Sequence, residues 1–124
     1  MTDIDTAQTA EFEPATSEAE IASPADYDSG WELADNSTPH NVVFEHEMGV
    51  TPSAIEIYFS ADKQTVYPLT WRWGDAAGNP VTISATDKTI VLAIFAGAPL
   101  HGVWTPSAGW TKYNQGYFRV FASK

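Results

Sequence analysis

Two Trp and two Tyr residues lie among small polar residues between positions 104 and 121. Trp104, Trp110 and Tyr113, with His101 just before them, could stack on the apolar C–H faces of a sugar. Asn114 could form hydrogen bonds with sugar hydroxyl groups. This combination predicts a contact loop for a polar ligand at residues 104–115.

A hydroxyl-rich ligand also needs charged groups at fixed positions around it. Asp28 and Arg72 could supply them from other parts of the chain. A structural interpretation competes with this one, because Trp104 and Trp110 could instead pack down over one end of the fold. The sequence is compatible with both.

The sequence pattern for a metal site is weaker than the pattern for a sugar site. The three histidines, His40, His46 and His101, lack a ligand spacing such as His-x-x-x-His. Two pairs of residues could offer oxygen donors to calcium: Asp26 with Asp28, and Asp75 with Asn79. Neither pair lies in a recognised calcium-binding loop pattern. We therefore predict no metal site and no cofactor.

Catalytic patterns are also weak. Glu45 and Glu47 are near neighbours in sequence, whereas the carboxyl groups of a glycosidase must flank a bond across a cleft. The chain also lacks the glycine pattern of a nucleophile elbow. The sequence therefore predicts a binding or structural protein without catalytic residues.

The net charge of −10 belongs to the amino-terminal end of the chain. Residues 1–35 hold ten acidic and no basic residues, whereas residues 36–124 hold six of each. No basic stripe is present, which argues against a nucleic-acid partner. No run approaches the roughly 20 apolar residues that cross a bilayer, so we predict no membrane insertion.

Residues 1–26 are predicted to form an extended acidic arm, because Ile4, Phe12 and Ile21 are their only sizeable apolar groups. Such a segment cannot form a core. It could be a solvated tail that is disordered when the protein is alone. Alternatively, it could become ordered on a larger assembly and attach the chain to it.

Residues 27–124 predict an antiparallel β-sandwich of about six or seven strands, because short apolar runs alternate with turn residues. The predicted strands cover residues 31–34, 41–46, 53–60, 66–73, 81–84, 89–96 and 116–122. The run at 89–96 is apolar throughout, which predicts burial on both faces. Both faces of strand 116–122 are predicted to be partly covered, as at a subunit contact. Residues 97–115 have no strand pattern, and loops of that length are usually functional.

Three motifs in this region follow one another in a characteristic order. They are Tyr27-Asp-Ser-Gly-Trp31, His46-Glu-Met-Gly49, and Pro52 leading into Ala54-Ile-Glu-Ile-Tyr-Phe-Ser60. In order and spacing, residues 27–124 resemble the H-type lectin domain. The same plan occurs in tail-fibre and other adhesion proteins of bacteriophages.

The resemblance implies a six-stranded sandwich that assembles as a trimer, with sugar sites near the subunit boundaries. By the same resemblance, Asp28 or Ser29 would contact the sugar, as would Arg72 and the group Trp110, Tyr113 and Asn114. The chain differs from the snail lectins in lacking cysteine and their Trp-His pair. It has Trp-Thr-Lys at residues 110–112 instead.

These features together predict a structural protein of a phage or phage-like virion, such as a component of a tail fibre, spike or surface fibre. Residues 1–26 would bind other virion proteins, and residues 27–124 would recognise cell-surface carbohydrate during host attachment. The protein would then work on the surface of the extracellular particle. Two alternatives are an architectural capsid-decoration or tail component that binds no sugar, and a free soluble lectin.

Overall fold

The computed structural model describes residues 18–69 and 82–124, which contain ten β-strands and no helix. The strands are β1 (Tyr27–Asp28), β2 (Glu32–Asp35), β3 (His40–Glu45), β4 (Ala54–Ser60), β5 (Tyr67–Pro68), β6 (Thr82–Ala85), β7 (Thr89–Ile94), β8 (His101–Thr105), β9 (Gly109–Tyr113) and β10 (Gln115–Ser123). The prediction of an all-β fold is confirmed. Within these two ranges, no helix has the length and hydropathy needed to span a bilayer.

Two antiparallel sheets form the body of the fold. In the larger sheet β10 lies between β4 and an edge made by β1 and β2, and β5 pairs with the far side of β4. In the smaller sheet β7 lies between β3 and β6. Strands β8 and β9 pair only with each other among the described strands and form a separate hairpin.

Alternating side chains from both sheets meet in one core. The buried residues of the larger sheet are Ala34, Ile57, Phe59, Phe118, Val120 and Ala122, and those of the smaller sheet are Val42, Phe44, Ile90, Leu92 and Ile94. This period of two is what a strand with one buried face requires. Removing these apolar surfaces from water is the main stabilising contribution to the fold. Because the two sheets share one core between them, the fold is a β-sandwich.

The hairpin corrects the prediction that residues 97–115 have no strands. Strand β8 pairs with β9 from His101↔Tyr113 to Thr105↔Gly109. Gly109 has a positive φ of 69°, which glycine adopts without steric cost. The Thr105 hydroxyl oxygen accepts a hydrogen bond of 3.2 Å from the Ala108 N–H and closes the turn. The β-branched and aromatic residues on either side of that turn favour extended strands.

Strand β7 differs from the prediction of burial on both faces, whereas both faces of β10 are partly covered, as predicted. On β7 only the inner face is buried, whereas Thr89, Val91 and Ala93 are half-buried on the outer face. On β10, Phe121 points away from the core and is nevertheless only 3% exposed. Its cover comes from the same chain, since Tyr58 packs edge-on against it with ring centroids 5.8 Å apart.

Residues 18–26, the described part of the predicted arm, lie against the sandwich. The Ala19 N–H donates to the Lys63 carbonyl at 2.8 Å, and Glu18 forms an ion pair with Lys63 at 3.5 Å. Farther along, the Asp26 carboxylate accepts a hydrogen bond of 3.0 Å from the Lys124 N–H. The rest of the predicted arm, residues 1–17, lies outside the described residues.

Candidate functional site

Two tryptophans face each other across the outer side of the hairpin. Trp104 on β8 and Trp110 on β9 are directly paired, so their side chains project from the same face. Trp104 is 56% exposed and Trp110 is 45% exposed, and neither therefore packs down as a plug over the sandwich. Large aromatic surfaces left in water in this way often mark binding sites.

The inner side of the hairpin rests on the core through His101 and Tyr113. The His101 ring lies 5.2 Å from the Phe59 ring and 5.1 Å from the Tyr67 ring, measured between centroids. Tyr113 contacts the same Phe59 ring at 5.8 Å. Burial lowers the pKa of His101, which favours a neutral imidazole. These two predicted contact residues therefore support the hairpin from the side opposite Trp104 and Trp110.

Lys112 follows Trp110 by two residues and so projects from the outer side of β9 as well. Its partner across the hairpin is Gly102, which has no side chain to cover it. Beyond Lys112 lies an open depression of about 460 Å³, lined by Asn36, Gly97, Pro99, Lys112 and Asn114. The tryptophan pair is thus continuous with a polar depression along β9.

Hydrogen bonds hold the polar end of this surface in place. The Asn36 side-chain amide donates to the Ala98 carbonyl at 2.7 Å and to the Asn114 side-chain oxygen at 2.9 Å. The Leu100 N–H donates to the Tyr113 carbonyl at 2.8 Å and extends the hairpin ladder. We use the name hairpin face for the surface formed by Trp104, Trp110, Lys112, Asn36 and Asn114.

Asp28 is engaged by an arginine of β10. Its two carboxylate oxygens accept hydrogen bonds of 2.8 and 2.6 Å from Arg119, and one of them also accepts the Gly30 N–H at 3.0 Å. The hydrogen bonds from Arg119 lower the pKa of Asp28, and that of Arg119 is raised by the same contact. The Arg119 guanidinium also lies 5.6 Å from the Trp31 ring and 5.1 Å from the Phe121 ring.

Ser29 is tied to the same strand. Its hydroxyl accepts the Val120 N–H at 2.8 Å and donates to the Gly30 carbonyl at 2.7 Å. Within the described residues, the hydrogen bonds of Asp28 and Ser29 thus go to β10 or to Gly30. The structure gives both residues a role in joining the β1–β2 edge to β10, and none of these bonds reaches the hairpin face.

Two further sequence predictions concern Arg72 and metal ions. Arg72 lies outside the described residues. Across the described ranges, no group of three or more His, Asp or Glu side chains could hold a metal ion. His46 is buried with both ring nitrogens occupied: one contacts the Thr86 carbonyl at 2.9 Å, and the other accepts the Met48 N–H at 3.1 Å.

The structure therefore brings together Trp104, Trp110 and Asn114 and adds two residues that the sequence analysis missed, Lys112 and Asn36. Lys112 could have been identified from the sequence, because a predicted strand at 109–113 would place it on the same face as Trp110. Asn36 could not, since it reaches Asn114 from 78 residues away. Arg119, the partner of Asp28, was missed for the same reason at a separation of 91 residues.

The comparisons with known proteins add no family to this geometry: no family model matches the chain, and the search of curated proteins finds no match.

Proposed function

We propose that the protein is a structural component of a phage or phage-like virion and that its hairpin face binds surface carbohydrate during host attachment. The observation that carries the proposal is the exposed pair Trp104 and Trp110 on the outer side of the hairpin. Flat indole rings provide apolar contact area for sugar C–H faces at a low cost in side-chain entropy.

The polar depression supports the same function. Sugar hydroxyl groups lose hydrogen bonds to water on binding, and they need donors and acceptors in return. Asn36 and Asn114 are oriented by their mutual hydrogen bond, so their remaining amide groups are held in place before a ligand arrives. Stacking at one end and fixed amides at the other suit a sugar chain better than a purely apolar ligand.

The virion context rests on the sequence. The order of motifs resembles lectin-like domains of phage tail fibres, and the acidic charge is concentrated at residues 1–35. From the same resemblance we infer a trimer on the surface of an extracellular particle. The arm, residues 1–26, would bind other virion proteins through its first part, because residues 18–26 contact the sandwich.

Replacing the tryptophans tests carbohydrate binding. We expect Trp104→Ala and Trp110→Ala each to weaken binding to an array of bacterial surface oligosaccharides about tenfold, and the double variant to abolish it. The thermal midpoint should change little, because about half of each tryptophan is exposed and neither belongs to the buried core. Phe95→Ala is the matched control, since Phe95 is 55% exposed and lies outside the hairpin. A folded double variant that binds like the original protein would favour the architectural alternative.

Deleting residues 1–17 tests the attachment role of the arm. We expect the shortened chain to keep its circular dichroism spectrum and sugar binding, because residues 18–26 and their contacts with Lys63 and Lys124 are retained. It should no longer sediment with the particles of the phage that encodes it. Incorporation at the level of the full chain would show that attachment does not depend on these residues.

A further inference from the structure

We propose that the hairpin face selects an acidic oligosaccharide and that Lys112 pairs with a sugar carboxylate. This inference rests on the proposed carbohydrate-binding function. Lys112 lies between the tryptophan pair and the polar depression, and it belongs to both surfaces. A ligand that spans the hairpin face must therefore pass over its ammonium group.

The charges around Lys112 differ from those around two other cations of the described residues, Lys63 and Arg119. Lys63 has a carboxylate partner in Glu18 at 3.5 Å, and Arg119 has one in Asp28 at 2.6 Å. No carboxylate of the described residues lies within ion-pairing distance of Lys112, and the residues that line the depression include no acid. In a chain with 16 acidic residues, this leaves a local positive site beside the aromatic pair.

The acidic residues elsewhere do not cancel this attraction. Charges in solution are screened over about 10 Å at 0.1 M salt, so a bound anion is affected mainly by its immediate neighbours. Asp28 is paired with Arg119, and Asp35, the acid that precedes Asn36, directs its carboxylate to the Ser37 N–H and hydroxyl. The net charge of the whole chain therefore has less influence on the ligand than Lys112 does.

The spacing along β9 fits a chain of sugars better than a single one. Side chains two residues apart on a strand are about 7 Å apart, so Trp110 and Lys112 would meet adjacent units of an extended ligand. One ring would stack on the tryptophans, and its neighbour would place a carboxylate at the Lys112 ammonium. The hydroxyl groups of the next unit would reach Asn36 and Asn114 in the depression.

The test uses the full chain and an array of oligosaccharides that contain uronic acid. Each compound is paired with its carboxyl-reduced counterpart, so that both members share length, linkage and stereochemistry. We expect the carboxylated member to bind about three- to fivefold more tightly at low salt, as for an exposed ion pair. Raising the salt concentration to about 1 M should remove most of the preference, because screening then acts over about 3 Å.

Variants assign the preference to one side chain. Lys112→Gln should remove the preference, so that the two members of each pair bind with equal affinity, whereas Lys112→Arg should keep it. Lys88→Gln is the matched control, because Lys88 is an exposed lysine in the turn between β6 and β7. Equal binding of both members, or a preference that survives Lys112→Gln, would overturn this inference and leave the carbohydrate function intact. If no member of any pair binds, the carbohydrate function fails as well.

Discussion

Replacing Phe59 with alanine is expected to lower the free energy of unfolding by about 3 to 5 kcal/mol. The Phe59 ring is fully buried and contacts Phe118 of the core at 5.4 Å between centroids. It also contacts His101 at 5.2 Å and Tyr113 at 5.8 Å, the two residues that seat the hairpin. The alanine variant would leave a cavity between the sandwich and the hairpin.

Urea denaturation followed by fluorescence measures this loss. Val43→Ala is the control, because Val43 is 50% exposed on the smaller sheet and should cost less than about 0.5 kcal/mol. If Phe59→Ala does not fold, Phe59→Leu should fold with a loss of about 1 kcal/mol, a typical cost for a milder substitution. A loss below about 1 kcal/mol for the alanine variant would contradict the packing described here.

Gly116→Ala is expected to destabilise the protein by about 1 to 3 kcal/mol through overpacking. A Cβ atom at position 116 would lie 2.5 Å from the Phe59 Cε1 atom and 3.0 Å from the Ser60 carbonyl oxygen. The carbonyl belongs to the backbone of β4, which pairs with β10 at this point. The Phe59 ring is itself fully buried, so neither neighbour can move without disturbing the core.

A double-mutant cycle identifies the cause of that loss. Because leucine is smaller than phenylalanine, Phe59→Leu should make room for the new methyl group and recover part of the stability in the double variant. We expect a coupling free energy of about 0.5 kcal/mol or more between the two positions. Strict additivity of the two losses would show that the methyl group does not meet the Phe59 ring.

Much of the sandwich was predictable because its strands follow the period of two. The buried residues Ile57 and Phe59 of β4 stand on either side of the half-buried Tyr58, and the buried Phe118 and Val120 of β10 stand on either side of the half-buried Arg119. A core of this kind reveals itself locally in the sequence. The two-residue strand β1 did not, since it is recognisable only from its pairing with Phe121 and Ala122.

The hairpin was harder to predict than the sandwich. Without it, the residues that pack on the core could not be told apart from those that are exposed to a ligand. When residues 101–114 are predicted to be a loop, every aromatic residue in them is an equally good candidate for ligand contact. As two paired strands, they place His101 and Tyr113 on Phe59 and leave Trp104 and Trp110 outside. The contact with Phe59 crosses more than 40 residues of sequence, and no local pattern indicates it.

The Asp28 carboxylate is a second residue whose role could not be predicted from the sequence. The lectin resemblance predicted it as a sugar contact, whereas its two oxygens bind Arg119 in the folded chain. Sequence spacing does not reveal this ion pair, because it depends on β1 lying beside β10. A ligand that uses Asp28 would have to compete with the arginine or bind the pair together.

The indole N–H signals of the labelled protein test the central claim most directly. The chain has five tryptophans, and each gives one such signal in a nitrogen–proton correlation spectrum. On titration with the oligosaccharides described above, we predict that the Trp104 and Trp110 signals shift in a saturable way, while the Trp31 signal does not move. If both hairpin signals stay in place with every neutral and acidic oligosaccharide, the hairpin face does not bind carbohydrate.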